Sequence, residues 1–285
     1  GVRPNSPPQI TRVSFSKPLA LRSFTRAAAG WSTSSLSFSN DGSKLGIGSR
    51  HYSEGGVVGC YSGRARVYEL SGGNWTQFGS DIKRSADNQC GRELGFSVSL
   101  NDDGTIAAVG IPGDSGDASG SVEVYESSGS GWQLKGSTIS SSTAGTYTGI
   151  LVGLDNSGTK LAIGDKENGT TSGFYEFESG DWARKSGPNF TAKSFSFSSD
   201  GSILAVGTST SAIIYDISSG SWSIRSGQDS FTSSGWSEVG FPYTGTNVSL
   251  SSDGSRLVIG HPSSDCVQNR YQYGYVRIYN WTGSS

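Results

Sequence analysis

Few side chains in this sequence are suited to catalysis or metal binding. Its two histidines, His51 and His261, are each followed by a cysteine, Cys60 and Cys266. Two histidines and two cysteines are the residue types of a common zinc site, but their spacings match no compact zinc motif. A G-x-S-x-G nucleophile turn and an H-E-x-x-H motif are also absent. We therefore expect no catalytic residue, no metal and no cofactor, and we interpret the histidines as surface residues.

The three cysteines are better suited to a disulfide. Cys60 and Cys90 lie in neighbouring loops on the same predicted face of the molecule, so a bridge between them is the preferred pairing. Cys60 with Cys266 is the alternative, and the thiol left over could pair between molecules. Three reduced cysteines in a cytosolic protein are the competing interpretation.

Sequons for N-glycosylation bear on the compartment. Asn168 and Asn189 lie in predicted loops, and Asn74 and Asn280 lie at the same turn of their repeats, next to a tryptophan. Asn247 heads an inner strand, so we expect it to be buried. The sequence begins with Gly and contains no Met, which suits a mature product without its leader. These features predict a glycoprotein that is secreted or displayed at the cell surface.

Charge and hydropathy argue against two kinds of partner. The net charge is −2 and the basic residues are scattered, so nothing favours binding to the polyanionic backbone of a nucleic acid. The longest apolar runs, such as residues 257–259, are far shorter than the roughly 18 residues that span a bilayer. We expect neither a nucleic-acid partner nor membrane insertion.

One pattern recurs five times along the chain and indicates the fold class. Each copy has an alternating strand, a tight turn with Gly, a nearly continuous apolar strand whose glycine permits close packing and a strand with Tyr. In the first four copies a strand headed by Trp follows. The turn glycines are Gly42, Gly104, Gly158, Gly201 and Gly254. The tyrosines are Tyr68, Tyr125, Tyr175, Tyr215 and Tyr279, and the tryptophans are Trp75, Trp132, Trp182 and Trp222. Four antiparallel strands make one propeller blade, so we predict an all-β, five-bladed β-propeller over residues 31–285.

The two ends of the chain complement each other. The fifth copy stops where its fourth strand should begin, and residues 1–30 precede the first copy. We predict that this N-terminal arm supplies the missing outer strand of the last blade, through residues 10–15 or 20–25. The competing arrangement is an exchange, in which the arm pairs with another protomer's incomplete blade and builds filaments.

A known repeat has the same order of motifs. FSVSL, DG, VGIP, GSVEVYE and GWQL follow one another in residues 96–134, and this order resembles the FG-GAP-like repeat, which is also present in the head of integrin α chains. The resemblance covers most of the chain and implies a β-propeller. It implies little about function, because propellers carry many unrelated activities.

The calcium loop of integrin-type blades, D-x-[DN]-x-D-G-x-x-D, is missing from these repeats. The aligned positions of the second copy are Ser99, Asn101, Asp103 and Ala107, which leave too few oxygen ligands for a cation that takes six to eight. We interpret the Asp-Gly pairs as turn formers. A calcium site would need other loop carboxylates, such as those of Asp114 and Asp117.

Three functions are compatible with this pattern. The leading prediction is a non-enzymatic extracellular propeller, a structural or interaction module that binds other protein subunits or itself, for example in a surface filament. The alternative is a module that binds glycans or adhesion ligands. It would use aromatic residues of the loops, namely Tyr52, Tyr61, Trp236, Tyr243 and Tyr271. The third function, that of a hydrolase or lyase, would depend on His51 or His261.

Overall fold

The computed structural model describes residues 35–53, 60–84, 90–113, 117–166, 171–187, 191–208, 211–218, 221–225, 231–232, 247–261 and 275–281. In this part of the chain 21 strands, β1 to β21, form five antiparallel sheets, and the residues between them are turns and irregular segments. No described segment is an apolar helix long enough to cross a bilayer. The predicted N-terminal arm, residues 1–30, lies outside the described residues.

Each sheet corresponds to one copy of the repeat and is called a blade. Blade 1 contains β1 (Ser35–Phe38), β2 (Lys44–Ser49), β3 (Arg64–Ser71) and β4 (Asn74–Ile82). Blade 2 contains β5 (Val98–Leu100), β6 (Ile106–Ile111), β7 (Ser121–Ser127), β8 (Trp132–Leu134) and β9 (Ile139–Ser140). Blade 3 contains β10 (Leu151–Leu154), β11 (Lys160–Gly164), β12 (Gly173–Glu178) and β13 (Asp181–Arg184). Blade 4 contains β14 (Ser194–Phe197), β15 (Ile203–Gly207), β16 (Ser211–Ser218), β17 (Ser221–Ile224) and β18 (Phe231–Thr232). Blade 5 contains β19 (Asn247–Leu250), β20 (Arg256–His261) and β21 (Tyr275–Asn280).

The strands of every blade pair in sequence order, as consecutive hairpins require. In blades 2 and 4 the fourth strand is interrupted, and β9 and β18 pair with the same third strands as β8 and β17. Blade 5 has three described strands, with β21 at its open edge. The all-β class and the propeller fold are confirmed, whereas the number of blades in the complete ring stays a prediction.

One register runs through all five blades and confirms the alignment of the sequence copies. The repeated tyrosine always lies opposite the same position of the second strand. The pairs are Leu45 with Tyr68, Ala107 with Tyr125, Leu161 with Tyr175, Leu204 with Tyr215 and Leu257 with Tyr279. Positions can therefore be compared from blade to blade by their register.

Apolar side chains fill the space between consecutive blades. The second strands β6 and β15 are buried along their whole length, because a blade lies on either side of them. At the junction of blades 2 and 3, Val122 and Val124 on β7 pack in one core with Val152 and Leu154 on β10. Burial of this kind is the main stabilising contribution available to such a fold.

A glycine in the second strand lets the blades approach closely, as predicted. A Cβ atom on Gly110 would lie 1.9 Å from the carbonyl oxygen of Gly149, in the connection to blade 3. A Cβ atom on Gly48 would lie 2.0 Å from the carbonyl oxygen of Gly95 in the same way. No side chain fits at these two positions.

The Asp-Gly hairpin turns form one edge of the molecule, called the turn face. The turn glycine has positive φ in each copy, for example 65° at Gly254. The pKa of Asp253 is lowered to about 2, chiefly because the Ser251 hydroxyl and the backbone N–H of Ser255 donate to its carboxylate. These aspartates are turn formers, as the sequence indicates.

Backbone hydrogen bonds connect successive turns of the turn face. The N–H of Asn40 donates to the carbonyl oxygen of Asp102 at 2.9 Å, and the N–H of Asp102 donates to that of Asn156 at 3.0 Å. Ser199 donates to Ser252 at 2.8 Å at the junction of blades 4 and 5. Each such turn is thus held by the turn of the next blade.

Serines of the inner strands complete the contacts between blades. The N–H of Leu100 donates to the hydroxyl of Ser37 at 2.9 Å, and the N–H of Leu250 donates to that of Ser196 at 2.9 Å. The innermost strand has a free backbone edge within its own blade, so the neighbouring serine satisfies a donor that would otherwise lack a partner.

Candidate functional site

The edge opposite the turn face carries the longer loops and is called the loop face. A disulfide joins Cys60, in the loop after β2, to Cys90, in the connection that enters blade 2, with a Cα–Cα distance of 4.3 Å. The predicted disulfide is confirmed, and Cys266 lies outside the described residues. A structural disulfide indicates an oxidising compartment, extracellular or periplasmic.

The described aromatic candidates of the loop face pack against their neighbours. The guanidinium carbon of Arg64 lies 3.7 Å from the ring centroid of Tyr52, and the rings of His51 and Tyr61 meet edge to face at 4.9 Å. Trp236, Tyr243 and Tyr271 lie outside the described residues.

Some of the predicted glycosylation sites lie among the described residues and others do not. Asn74 and Asn280 are exposed at strand ends, and Asn168 and Asn189 lie outside the described residues. Asn247 begins β19 and is exposed, so the expectation that it is buried is wrong.

No group of three or more His, Cys, Asp or Glu side chains is placed to hold a metal ion among the described residues. Cys60 is oxidised in the disulfide and cannot serve as a thiolate ligand. The carboxylate of Asp117 accepts the backbone N–H of Ser119 at 3.0 Å and forms a turn. Asp114 and the side chain of His261 lie outside the described part of the chain.

Asp165 is the side chain that stands out chemically on the loop face. It directly follows β11, has no exposed surface, and its Oδ1 has no hydrogen-bond partner. Its Oδ2 accepts the backbone N–H of Ser172 at 2.9 Å. Burial raises the pKa of Asp165 to about 6, although the nearby Thr148 hydroxyl, the Ser172 N–H and the charge of Arg184 oppose the shift.

The equivalent position in blade 2 is apolar. Ile111 also follows the second-strand glycine, is fully buried, and belongs to the same core as Leu94. Gly120 and Thr148 form an isolated parallel bridge, as Gly63 and Leu94 do in the preceding junction. Asp165 and Thr148 therefore replace the apolar pair Ile111 and Leu94. The fold can fill this space without a carboxyl, so its presence in blade 3 calls for another reason.

Buried hydroxyl groups surround this carboxyl at the junction of blades 2 and 3. The buried polar residues there are Ser119, Ser121, Ser141, Thr146, Thr148, Thr171 and Ser172. The hydroxyl of Thr146 donates to the carbonyl oxygen of Ser119 at 2.7 Å and lies 3.5 Å from the hydroxyl of Thr148. The result is a polar interior beneath the loop surface, in contrast to the apolar core below it.

Arg184 supports the site from the fourth strand. Its guanidinium donates to the carbonyl oxygen of Ser172 at 2.9 Å, the same residue whose backbone N–H donates to Asp165. Gly173 leaves room for it, because a Cβ atom there would lie 3.0 Å from the guanidinium. The Tyr175 hydroxyl donates to Thr171 at 2.8 Å, and burial raises the pKa of Tyr175 to about 12.

Exposed groups lie next to this buried cluster. Lys166 follows Asp165 in the chain and is exposed, and its ammonium group lies 4.8 Å from the ring centroid of Tyr147. Tyr147 precedes Thr148 and has positive φ, 53°, as Glu93 does at the equivalent place in the preceding connection. The loop surface beside Asp165 therefore presents one cation and one aromatic ring.

A second buried carboxylate shows what a fully paired one looks like. Glu123 accepts hydrogen bonds from Arg84 at 2.7 Å, from Thr138 at 3.1 Å and from the Tyr125 hydroxyl at 2.5 Å. Burial, followed by the charge of Glu123, raises the pKa of Tyr125. Both oxygens of Glu123 have partners, so this cluster stabilises blade 2 and offers no free acceptor.

Sequence reasoning missed Asp165. The signal was present, since an Asp follows the glycine of LAIGD where the second copy has Ile after VG. Its burial and its partnerless oxygen could not be found in the sequence, because they depend on Thr148 from another segment and on Ser172 from the far side of a loop.

Neither a family model nor a curated protein matches this chain, so the FG-GAP-like resemblance stays a prediction. Solved structures do match in fold. Hydrazine synthase of Kuenenia stuttgartiensis superimposes with a TM-score of 0.53 at 13% identity, covering 96% of this chain and 66% of that one. The periplasmic gluconolactonase of Pseudomonas aeruginosa superimposes with a TM-score of 0.53 at 18% identity, covering 85% of this chain and 67% of that one. This chain thus spans about two thirds of the length of either.

These comparisons correct the predicted function. The two solved propellers are enzymes, as their names state. The prediction of a non-enzymatic structural or interaction module, and with it the expectation that the chain is not an enzyme, is wrong. It depended on the absence of catalytic motifs, and a single buried carboxyl such as that of Asp165 belongs to no sequence motif. The predicted partners are not tested by the described residues.

Proposed function

We propose that this chain is a hydrolase and that its reaction takes place on the loop face, at the junction of blades 2 and 3. The observation that carries the proposal is the Asp165 carboxyl, which is fully buried, has a partnerless Oδ1 and has a pKa raised to about 6. Shifted carboxyls of this kind are typical of general bases near neutral pH.

The role of Asp165 follows from its two unlike oxygens. Ser172 holds Oδ2 by a hydrogen bond, which leaves Oδ1 as the proton acceptor. Because the side chain has no exposed surface, we assign it to a water molecule and not to direct contact with a large substrate. Near pH 7 the carboxyl is mostly ionised and can accept the proton of that water.

Hydrolysis of an ester or lactone balances with these groups. The activated water adds its oxygen to the acyl carbon, the acyl C–O bond breaks, and the proton held on Asp165 passes to the leaving oxygen. The ammonium group of Lys166 lies beside the site at the surface, where a cation stabilises negative charge that develops on the acyl oxygen. The step needs no oxidant, reductant or cofactor.

A small hydroxylated lactone is the substrate class that we propose. The gluconolactonase likeness supports this class, at the level of fold. The exposed Lys166 ammonium group beside the Tyr147 ring gives such a substrate a cation and an aromatic surface to contact. We also propose that the protein is secreted or displayed at the cell surface as a glycoprotein, which the disulfide and the exposed Asn74 and Asn280 support.

The test is acid release from glucono-1,5-lactone, followed at constant pH and corrected for spontaneous hydrolysis. We expect turnover by the wild-type protein and a loss of about 10²-fold or more in kcat for Asp165→Asn, the scale of a general base. Asp253→Asn, a carboxylate on the turn face, is the control and should keep full activity. Wild-type protein no faster than buffer, on this and on other lactones and esters, would refute the proposal, as would an active Asp165→Asn variant.

A further inference from the structure

The two ends of the described blade series carry exposed apolar side chains. Leu36 and Phe38 on β1 are 59% and 57% exposed, and Val276 and Ile278 on β21 are 66% and 67% exposed. The corresponding side chains within the series are buried or partly buried, so these four residues mark two uncovered sheet faces. Uncovered apolar residues of this size indicate a surface that meets a partner.

The two faces are the two halves of one type of junction. At the junction of blades 1 and 2, Ala65 and Val67 of the third strand pack in one core with Val98 and Leu100 of the next inner strand. At the junction of blades 4 and 5, Ala212 and Ile214 pack with Val248 and Leu250. In the repeated register, Val276 and Ile278 hold the positions of the first set, opposite Gly260 and Val258, as Ala65 and Val67 lie opposite Gly48 and Gly46. Leu36 and Phe38 hold the positions of Val98 and Leu100.

A fourth strand is also missing at this place among the described residues. The strands β3, β7, β12 and β16 each pair with a fourth strand, whereas β21 pairs with β20 alone. An unpaired edge of this kind accepts a further strand.

Two of the four repeated tryptophans point to the same missing strand. The indole N–H of Trp132 donates to the carbonyl oxygen of Phe78 at 3.4 Å, and that of Trp182 donates to Lys135 at 2.7 Å. Each acceptor belongs to the fourth strand of the preceding blade or to the residue that follows it. The ring centroids of Trp75 in blade 1 and Phe38 lie 6.2 Å apart. For Trp75 the corresponding acceptor would belong to the fourth strand of blade 5.

We infer that the N-terminal arm is this strand: residues 20–25 pair with the open edge of β21, and Val276 and Ile278 then pack on Leu36 and Phe38. The arm ends directly before β1, which places it at the junction to be closed. Its spacing also fits, because β13 ends at Arg184 ten positions before β14 begins at Ser194, and residue 25 lies ten positions before Ser35. Residues 10–15 lie farther away.

The sequence of this segment suits the position. Residues 20–25 read ALRSFT. Leu21 and Phe24 are three positions apart and therefore face opposite sides of a strand, so one of them, Phe24, can cover the indole of Trp75. The occupant is therefore the chain's own arm, and the ring closes on itself. A second copy that supplies its arm, the exchange that the sequence also allows, would instead join molecules head to tail.

Cysteine cross-linking separates these arrangements. In a Cys266→Ser background we would introduce Phe38→Cys and Ile278→Cys and oxidise the full-length protein at high dilution. We expect a disulfide within one molecule, seen as a monomer with faster non-reducing mobility. The matched control pair is Leu134→Cys with Ile224→Cys, both exposed but on the fourth strands of blades 2 and 4, which should not cross-link.

The arm is tested by one further change in the cross-linking protein. Phe24→Asp should slow the formation of the disulfide at least tenfold while far-UV circular dichroism shows that the blades remain folded. Cross-linked dimers and ladders at high dilution would show that a second copy occupies the face and would overturn the inference. Absence of any cross-link, or cross-linking unaffected by Phe24→Asp, would overturn it as well.

Discussion

Asp165 occupies in blade 3 the position that Ile111 occupies in blade 2. Asp165 directly follows Gly164, which pairs with Leu151 of the inner strand in blade 3. Ile111 directly follows Gly110, whose N–H donates to Ser97 of the inner segment in blade 2. Both side chains are fully buried, so one environment is occupied by a carboxyl in one blade and by an alkyl group in the other. The first two predictions test how this difference affects the free energy of unfolding.

Stability should fall as the pH rises through the titration of Asp165. The pKa is raised from 3.8 in the unfolded chain to about 6 in the folded protein, so the folded state holds more protons between these values. The favourable contribution is complete below about pH 4 and is lost by about pH 6, a change on the order of 3 kcal/mol. Asp165→Asn should remove this part of the pH dependence in urea unfolding measured from pH 4 to pH 7. Asp253→Asn should keep it, because that carboxyl titrates near pH 2. An unchanged pH profile in Asp165→Asn would contradict the assignment.

Copying the blade 2 pair into blade 3 should separate stability from activity. The double variant Asp165→Ile with Thr148→Leu replaces a buried carboxyl and a hydroxyl by the residue types found at Ile111 and Leu94. Such replacements of buried charge are often neutral or stabilising by about 1–4 kcal/mol. We expect a folded protein at least as stable as the wild type at pH 7, by guanidinium unfolding, and without lactone hydrolysis. A strongly destabilised variant would show that the carboxyl serves the fold.

The close approach of the blades predicts that a Gly→Ala change lowers the free energy of unfolding by very different amounts at two equivalent positions. Gly110→Ala places a methyl group 1.9 Å from a backbone oxygen of Gly149, which cannot yield without moving a blade. We expect a loss above about 4 kcal/mol or failure to fold. Gly164→Ala places its methyl group 3.3 Å from the Cβ of Leu151, so its cost should stay within about 1 kcal/mol. Thermal unfolding of both variants gives the comparison, and equal losses would refute it.

The disulfide of the loop face predicts both a thiol count and a stability difference. Denatured, non-reduced protein should react at the single thiol of Cys266, and reduced protein should react at all three cysteines. The Cys60→Ser and Cys90→Ser double variant should lose about 2–4 kcal/mol in guanidinium unfolding, because the bridge constrains the unfolded chain. Three reactive thiols before reduction would show that the bridge does not form.

The fold was predictable because each blade repeats the same local signals. The Asp-Gly turns, the paired tyrosines and the apolar second strands all lie where the sequence copies place them, since turn chemistry and strand alternation are local properties. Ser37 and Ser196 show the limit of such signals. Alternation identifies them as polar positions of an inner strand, but their bonds to Leu100 and Leu250 depend on the next blade. The candidate site was missed for the same reason, because Asp165 is unusual only beside Thr148 and Ser172.

The hydrogen bonds between successive turns also bear on which parts of this molecule can change without disturbing the fold. Asn40, Asp102 and Asn156 hold consecutive blades at a fixed pitch along one edge of the molecule, whereas the loops at the other edge take no part in those bonds. Loop segments outside the close contacts of Gly48 with Gly95 and of Gly110 with Gly149 can therefore change in length while the bonds between turns are kept. The turn face thus fixes the arrangement of the blades, and the loop face carries the segments that can vary.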